Sequence, residues 1–292
     1  MHKELIEKLF GQSPSVFRNT ELIYSNELAG FISNLGYKGM LCEGLDTVLG
    51  SRSPNYLHHP PALPSFACLL KNYRLSDDIA FRFSDRSWEE WPLTADKYAH
   101  WIHQLTGAGD TINLFMDYET FGEHQWRESG IFEFIKALPA QLMKNKEFRF
   151  MTPSEVIDTY PVRGEYDVPW FSSWADLERD LSAWLGNPLQ IDAMDRAYKL
   201  EHKVKSLNNP ALLDTWANLL TSDHYYYMCT KHWEDGDVHK YFSPYNTPYD
   251  AYINLMNVLT DLEYVLEETK PTEVEAKEPV RRKGSKAPAI AT

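Results

Sequence analysis

The sequence predicts an α/β fold, a (β/α) barrel followed by a bundle of helices. Over residues 1–160, short apolar runs alternate with helical patterns, which is typical of a parallel sheet covered by helices and most simply of a barrel. The first four apolar runs end in acidic residues, as expected where a barrel holds its ligand at the carboxyl ends of its strands. Beyond residue 160 helical patterns dominate, and we expect them to form the bundle.

The predicted elements follow one another in the order strand, loop and helix. Strands are expected at 15–22, 37–44, 67–75, 111–116 and about 147–151, and helices at 25–36, 92–106, 129–145 and from 153 onward. Gly36 supplies a helix stop signal, and Thr94 and the Thr152-Pro153 pair supply helix start signals. Three further helical stretches, at about 175–206, 210–231 and 247–268, make up the predicted bundle.

We divide the chain into three parts on these patterns. We expect residues 1–160 to form the barrel portion that holds the functional site, and residues 161–268 to form a helical bundle that completes the cleft. An irregular, aromatic stretch at 161–174 marks the change between them. Residues 269–292 are rich in Pro, Lys and Glu and lack apolar periodicity, so a disordered tail is predicted there.

Composition excludes several classes of partner. The chain has 292 residues and a formal net charge of -13, so it offers no basic surface for nucleic acid or for an anionic membrane. No apolar stretch approaches 18 residues, and the N-terminus lacks the apolar region of a signal peptide. Cys42, Cys68 and Cys229 are far apart, which predicts neither a zinc knuckle nor a disulfide framework. A reducing, cytoplasmic location is expected.

Two of the acidic strand ends have the residue types of a glycosidase. Glu21 and Asp117 each end an apolar run, and a retaining glycosidase needs one carboxylate as nucleophile and one carboxylic acid as proton donor. Aromatic residues make up 14% of the chain, and sugar rings stack on such side chains. The alternative is that each acid only solvates a loop or caps a helix.

Two segments resemble a known family. "FRNTELIYSNELAGFISNLGYKGMLCEG" carries Thr20-Glu21, and "LFMDYETFGEH" carries the pattern Asp-x-Glu-x-Phe-Gly. Together they resemble the α-amylase-like branch of glycoside hydrolase family 57. The resemblance implies a retaining enzyme acting on α-1,4-glucans through a seven-stranded (β/α) barrel and a helical bundle. It implies Glu21 as the nucleophile, Asp117 as the general acid/base, and no cofactor.

Further residues are predicted to bind substrate. The segment "SDHYYYMCTKHW" resembles another shared region of the family, in which Trp233 also faces the cleft. The predicted substrate-binding residues are Glu43, Asp78, Trp88, Trp91, Glu119, His124, Trp126, Asp223, His224 and Tyr226. Glu43 is also a rival nucleophile, because it too ends a strand, and Asp77-Asp78 has the alternative role of a helix cap. Trp88 and Trp91 form either a stacking platform or a pair that packs against a helix.

One departure from the family concerns its first strand. That strand carries a His-Gln-Pro signature upstream of the nucleophile, and neither it nor the second shared region occurs here. The expected fold is therefore an incomplete (β/α)7 barrel. Two explanations stay open: the chain is a fragment, or a second chain supplies the N-terminal strands.

Three alternatives to an α-amylase-like hydrolase also stay open. A 4-α-glucanotransferase or branching enzyme would use the same catalytic pair. A metal-dependent carbohydrate deacetylase would need paired histidines at helical spacing beside an Asp pair, and neither His58-His59 nor His100 and His103 provides them, so no metal is predicted. A non-catalytic glucan-binding fragment is the third alternative.

Overall fold

The computed structural model describes residues 2–231 and 243–269. The chain divides into two compact units, residues 1–183 and residues 184–292. The predicted boundary at residue 160 and the role of the second part stay predictions. Trp233 and, apart from Thr269, the predicted tail lie outside the described residues.

The first unit is built on a five-stranded, mainly parallel sheet, as an α/β fold requires. The strands are β1 Val16–Phe17, β2 Gly39–Cys42, β3 Leu57–His59, β4 Ala67–Leu70 and β5 Val162–Glu165. Their order is β1-β2-β4-β3-β5; β3 and β4 are antiparallel, and the other pairs are parallel. Within the described residues β1 and β5 are the edges of the sheet, so the barrel stays a prediction.

The central strands are buried because both faces are apolar. Every residue of β2 and β4 is buried, as expected for parallel strands covered on both sides. Gly39 opens β2 at a close approach: a Cβ there would lie 2.3 Å from the backbone oxygen of Ala67. Tyr24 and Tyr166 pack beside the sheet with their ring centroids 5.4 Å apart.

The predicted strand at 67–75 is half correct. β4 ends at Leu70, and a helix begins at Tyr73 because the side chain of Asn72 accepts a hydrogen bond from the Leu75 N–H at 3.2 Å. Lys71, between strand and helix, is thereby fixed at the carboxyl end of the sheet.

The strands predicted at 111–116 and 147–151 are wrong, since neither stretch forms a ladder in the structure. The first bonds single residues that follow β4 and not a strand: the oxygen of Asn113 accepts from the Asn72 N–H at 2.9 Å, and the Phe115 N–H donates to Ser76 Oγ at 3.2 Å. The second is preceded by a turn in which the Phe148 N–H donates to the Asn145 oxygen. Apolar content alone did not specify a ladder partner.

Helices complete the first unit. They are α1 His2–Phe10, α2 Asn26–Asn34, α3 Asp46–Leu49, α4 Tyr73–Ala80, α5 Ala95–His103, α6 Ile131–Leu142 and α7 Pro153–Thr159. The helix start signal predicted at Thr152-Pro153 is confirmed at α7, which has a full capping box between Thr152 and Glu155. Helices α5 and α6 pack through an aromatic contact between Tyr98 and Phe134, with ring centroids 5.7 Å apart.

The second unit is helical in its described residues. α8 Ser182–Leu185 spans the junction, and α9 Pro188–Lys199, α10 Glu201–Ser206, α11 Pro210–Leu219, α12 Ser222–Tyr226 and α13 Pro248–Glu268 follow. The long helices predicted at 175–206 and 210–231 are broken into shorter ones. Within the first stretch Asn187-Pro188 starts a new helix, whereas Asn209-Pro210 starts α11 where the second predicted stretch begins; in both, the Asn side chain caps the helix. None of the described helices combines the length and apolar character needed to cross a membrane.

Candidate active site

Glu21 lies in a tight turn directly after β1. The Leu22 N–H donates to the oxygen of Asn19 at 3.0 Å, and the Asn19 side chain accepts from the Glu21 N–H at 2.9 Å. Leu22 closes the turn at φ +50°, a conformation that a leucine rarely adopts, and its side chain is completely buried. The turn therefore holds the Glu21 backbone in one orientation.

Trp174 fixes the Glu21 carboxylate. Its indole Nε1–H donates to Glu21 Oε2 at 3.0 Å, and its backbone N–H donates to the Glu21 oxygen at 3.1 Å. Two cations lie on the indole ring: the Arg18 guanidinium at 5.3 Å and the Lys71 ammonium at 5.1 Å from the ring centroid. The indole ring that bonds Glu21 is thus held between the carboxylate and two cations.

Asp117 stands beside the same cations and has a different environment. It precedes a short 3₁₀ helix, Tyr118–Thr120, without capping it through its side chain. The residue is exposed at the surface, yet the groups packed around its carboxyl raise its pKa by desolvation, and the charge of Glu119 raises it further. His124, Arg18 and Lys71 lower this pKa. Arg18 and Lys71 thus influence the pKa of Asp117. The same two cations lie over the ring of Trp174, which bonds Glu21.

A group of four charged residues, which we call the charge cluster, lies next to Trp174; two of its members are buried and two are half-buried. Its members are Glu43, Lys71, Asp77 and Arg179. The Lys71 ammonium lies 3.1 Å from Asp77 Oδ1 and 3.5 Å from Glu43 Oε2. The Arg179 guanidinium lies 3.7 Å from Glu43 Oε2 and 3.9 Å from Asp77 Oδ2, and it also donates to the backbone oxygen of Trp174.

Glu43 is buried to an extent that does not suit a nucleophile. The residue is only 2% exposed. Its Oε1 accepts from the Gly44 N–H at 3.0 Å, and no residue among 2–231 and 243–269 donates a hydrogen bond to Oε2. Burial raises the pKa of this carboxyl, which Lys71 and Arg179 lower. Glu43 therefore belongs to the charge cluster, and its predicted contact with substrate stays a prediction.

The predicted acid Asp78 and the two tryptophans lie to one side of the charge cluster. Asp77 is the neighbour that enters it, while Asp78 pairs with Arg82 at 3.0 Å. Trp88 packs edge-on against Trp101 with ring centroids 6.1 Å apart, as in the helix-packing alternative. Trp91 is 42% exposed and carries the Arg86 guanidinium over its ring.

The predicted binding residues around Asp117 lie on one anchored loop. Glu119, His124 and Trp126 are exposed, and the Glu119 oxygen accepts the His124 N–H at 2.8 Å. Buried Gln125 anchors the loop, because its amide donates to the oxygen of Ala80 at 2.8 Å and its side-chain oxygen accepts from the Ser84 hydroxyl. The loop thus presents polar and aromatic groups from a fixed base.

The remaining predicted residues lie in the second unit. Asp223 and His224 are in the first turn of α12, and Tyr226 ends it. Tyr226 stacks on Trp184 with ring centroids 6.2 Å apart. Their predicted contact with substrate stays a prediction.

Sequence reasoning missed four residues of the site: Arg18, Lys71, Trp174 and Arg179. Lys71 follows the buried strand β4 directly, and a lysine at the end of an apolar run was the available signal. Trp174 and Arg179 carried no such signal, since Trp174 ends the irregular stretch, Arg179 follows it, and both reach the site only through tertiary folding.

Histidine and acid groups in the described residues do not form a metal centre. No group of three or more His, Cys, Asp or Glu side chains with the geometry to hold a metal ion occurs among residues 2–231 and 243–269. His58 is buried, with Nδ1 2.9 Å from the oxygen of Tyr56, and burial lowers its pKa.

Comparison with known proteins identifies the family of the chain. The model of Glycosyl hydrolase family 57 matches residues 1–169. A protein of Methanocaldococcus jannaschii named "Putative alpha-amylase" is 46% identical over 278 residues, covering 92% of this chain and 59% of the relative. The chain therefore spans about three fifths of that relative's length.

Two solved structures share the fold. One is a branching enzyme of the family 57 type from Pyrococcus horikoshii, with a TM-score of 0.60 and 14% identity over 93% of this chain and 67% of the other. The second is the α-amylase AmyC of Thermotoga maritima, with a TM-score of 0.52 and 13% identity over 91% of this chain and 65% of the other. At these identities the likeness concerns the fold alone.

Proposed function

Because the chain belongs to glycosyl hydrolase family 57, we propose that it carries the catalytic pair of a retaining enzyme that hydrolyses α-1,4-glucans. The observation that carries the proposal is the arrangement of Glu21 and Asp117 around Arg18, Lys71 and Trp174. Arg18 and Lys71 act on Asp117 and lie over the Trp174 ring that bonds Glu21, but the environments of the two acids differ. Such a difference is what separates a nucleophile from a general acid.

In the first step, Glu21 attacks the anomeric carbon while Asp117 protonates the glycosidic oxygen. The bond from the anomeric carbon to Glu21 forms as the bond to the leaving oxygen breaks. The indole N–H of Trp174 holds the attacking carboxylate, and two cations lie over the indole ring. The raised pKa of Asp117 keeps a proton available for the leaving group.

In the second step, Asp117 removes a proton from water, and the water oxygen attacks the anomeric carbon of the glycosyl-enzyme. Glu21 leaves as a carboxylate, and the product regains the configuration of the substrate. The exposed aromatic side chains Tyr118 and Trp126 flank the acid and offer faces on which sugar rings stack. Glu119 and His124 are proposed to contact sugar hydroxyls.

The competing function is transfer by a 4-α-glucanotransferase or branching enzyme, in which a sugar hydroxyl replaces water. Incubation of the chain with maltoheptaose, followed by product analysis, separates these functions. We expect maltooligosaccharides shorter than the substrate and none longer. Products longer than maltoheptaose, or new branch points, would assign transfer. Retention on an amylose column without any product would assign glucan binding alone.

Glu119 is expected to set the pH range of the enzyme, because its negative charge raises the pKa of Asp117. The acid must be protonated for the first step, so the alkaline limb of kcat/KM reports its loss of a proton. Replacing Glu119 by Gln removes the charge, lowers the pKa of Asp117 and moves the alkaline limb to lower pH. The measurement is the pH profile of kcat/KM on maltoheptaose.

Glu123→Gln is the matched control for this prediction. Glu123 is an exposed acid on the same loop and is not among the groups that shift the pKa of Asp117. Its profile should coincide with that of the unmodified chain. An unshifted alkaline limb in Glu119→Gln, or an equal shift in Glu123→Gln, would show that Glu119 does not act on the acid.

A further inference from the structure

Lys71 is a buried cation to which the reaction scheme gives no part beyond its position on the Trp174 ring. The residue is 4% exposed, and a lysine so buried is costly unless charged or polar groups compensate it. Asp77 and Glu43 supply the compensation at 3.1 Å and 3.5 Å. The ammonium is thereby held in one place, 5.1 Å from the centroid of the Trp174 ring.

Trp174 is held at several points, and each of them involves the catalytic pair or the charge cluster. Its indole N–H and its backbone N–H donate to Glu21, and its backbone oxygen accepts from Arg179. One of the two cations on its ring, Arg18, is exposed, whereas Lys71 is buried. A buried cation attracts an aromatic face more strongly than an exposed one, because water screens it less. Lys71 is therefore the stronger support of the ring.

We propose that Lys71 is a positioning residue that acts through Trp174, holding the indole so that its N–H stays on the Glu21 carboxylate. The expected loss of rate rests on the proposed function of Glu21. The geometry, in which Lys71 supports the indole that bonds Glu21, does not rest on it. Lys71 does not touch the reacting atoms in this account. It fixes the group that orients the nucleophile.

The charge cluster gives Lys71 a second route to the same indole. Two carboxylates, Glu43 and Asp77, face two cations, Lys71 and Arg179. Without Lys71, Arg179 is the remaining cation of the charge cluster beside the two carboxylates. We expect its guanidinium to move towards them. Because Arg179 also bonds the backbone oxygen of Trp174, its displacement moves the residue that holds Glu21.

The kinetic test compares Lys71→Met with Lys71→Arg. Lys71→Met should lower kcat on maltoheptaose by about 10- to 100-fold with KM changed less than about threefold, because a misplaced nucleophile slows the chemical step more than binding. Lys71→Arg keeps a cation at the ring and should restore most of the rate. Lys205→Met is the control, since Lys205 also pairs with a carboxylate and lies over a tryptophan ring, that of Trp216 in the second unit.

A double-mutant cycle tests whether the effect passes through Trp174. Trp174→Phe removes the indole N–H and keeps an aromatic ring, so kcat should fall about as far as in Lys71→Met. In the Trp174→Phe background, adding Lys71→Met should lower kcat little further, because the indole N–H through which Lys71 acts is already missing. Additive losses in kcat would overturn the proposal. If Lys71→Met does not fold, an unchanged kcat in Trp174→Phe would overturn it instead.

The indole N–H spectrum provides a readout that does not depend on activity. The ¹⁵N-labelled full chain has 9 tryptophans, and Trp174→Phe identifies the Trp174 signal by its loss. Glu21→Gln should move this signal, since it replaces the charged acceptor. Lys71→Met should shift the Trp174 signal in the same direction or broaden it, and Lys205→Met should leave it unchanged. A Trp174 signal unchanged in Lys71→Met would overturn the proposal.

The two hypotheses fail in different ways. If Glu21→Gln retains full activity, the proposed function is wrong, while the Trp174 signal still decides the role of Lys71. If Glu21→Gln is inactive but Lys71→Met keeps both its kcat and its Trp174 signal, the catalytic assignment stands and only the positioning role of Lys71 is lost.

Discussion

Replacement of Glu21 by Gly should lower kcat on an aryl α-maltooligosaccharide by about 10⁴-fold or more, because no covalent intermediate can form without the nucleophile. Sodium azide should restore much of the rate. The azide ion fits the space left by the side chain and attacks the anomeric carbon from the side that Glu21 occupied. The product should be the β-glycosyl azide, with inverted configuration, identified by NMR.

The same replacement at Glu27 is the control for Glu21. Glu27 lies six residues away in the first turn of α2, and Glu27→Gly should keep wild-type activity once its folding is verified by circular dichroism. Wild-type activity in Glu21→Gly would reject Glu21 as the nucleophile. A parallel measurement on Glu43→Gln then becomes decisive, because Glu43 is the rival that the sequence suggests.

Replacement of Asp117 by Ala should have an effect that depends on the leaving group. Maltoheptaose has a poor leaving group that needs protonation, so kcat/KM should fall by about 10²- to 10⁴-fold. A substrate with a good leaving group, such as a 2,4-dinitrophenyl maltooligosaccharide, needs no protonation and should still form the glycosyl-enzyme rapidly. Azide should then attack from the face opposite Glu21 and give the α-glycosyl azide.

The outcome for Asp117 is informative in both directions. An equal loss on both substrates would mean that Asp117 is not the proton donor. A β-glycosyl azide from Asp117→Ala would mean that the two roles are exchanged between Glu21 and Asp117. Asp158→Ala is the matched control, because Asp158 is an exposed acid paired only with Lys38 on the surface, and its removal should leave both rates unchanged.

The sequence correctly predicted an α/β fold and most helices of the first unit, because local signals control them. Thr152-Pro153 starts α7 through a capping box, and Ser25 caps α2 by accepting the Leu28 N–H. The same local chemistry, overlooked at Asn72, ends the strand that apolar content extended to residue 75. The wrong strands at 111–116 and 147–151 had apolar content but no strand to pair with among residues 2–231 and 243–269, and pairing is a non-local property that a single segment does not encode.

For the candidate site, the sequence by itself singled out the acids that follow apolar runs, Glu21, Glu43 and Asp117, although only the runs before Glu21 and Glu43 form strands. The tertiary structure decided what surrounds each of them. It buries Glu43 between Lys71 and Arg179 and gives the Glu21 carboxylate an indole N–H from Trp174, 153 residues away along the chain. The physical reason is that the ionisation and orientation of a carboxylate depend on desolvation and on nearby charges. Those neighbours come from distant parts of the chain, so they exist only once it is folded.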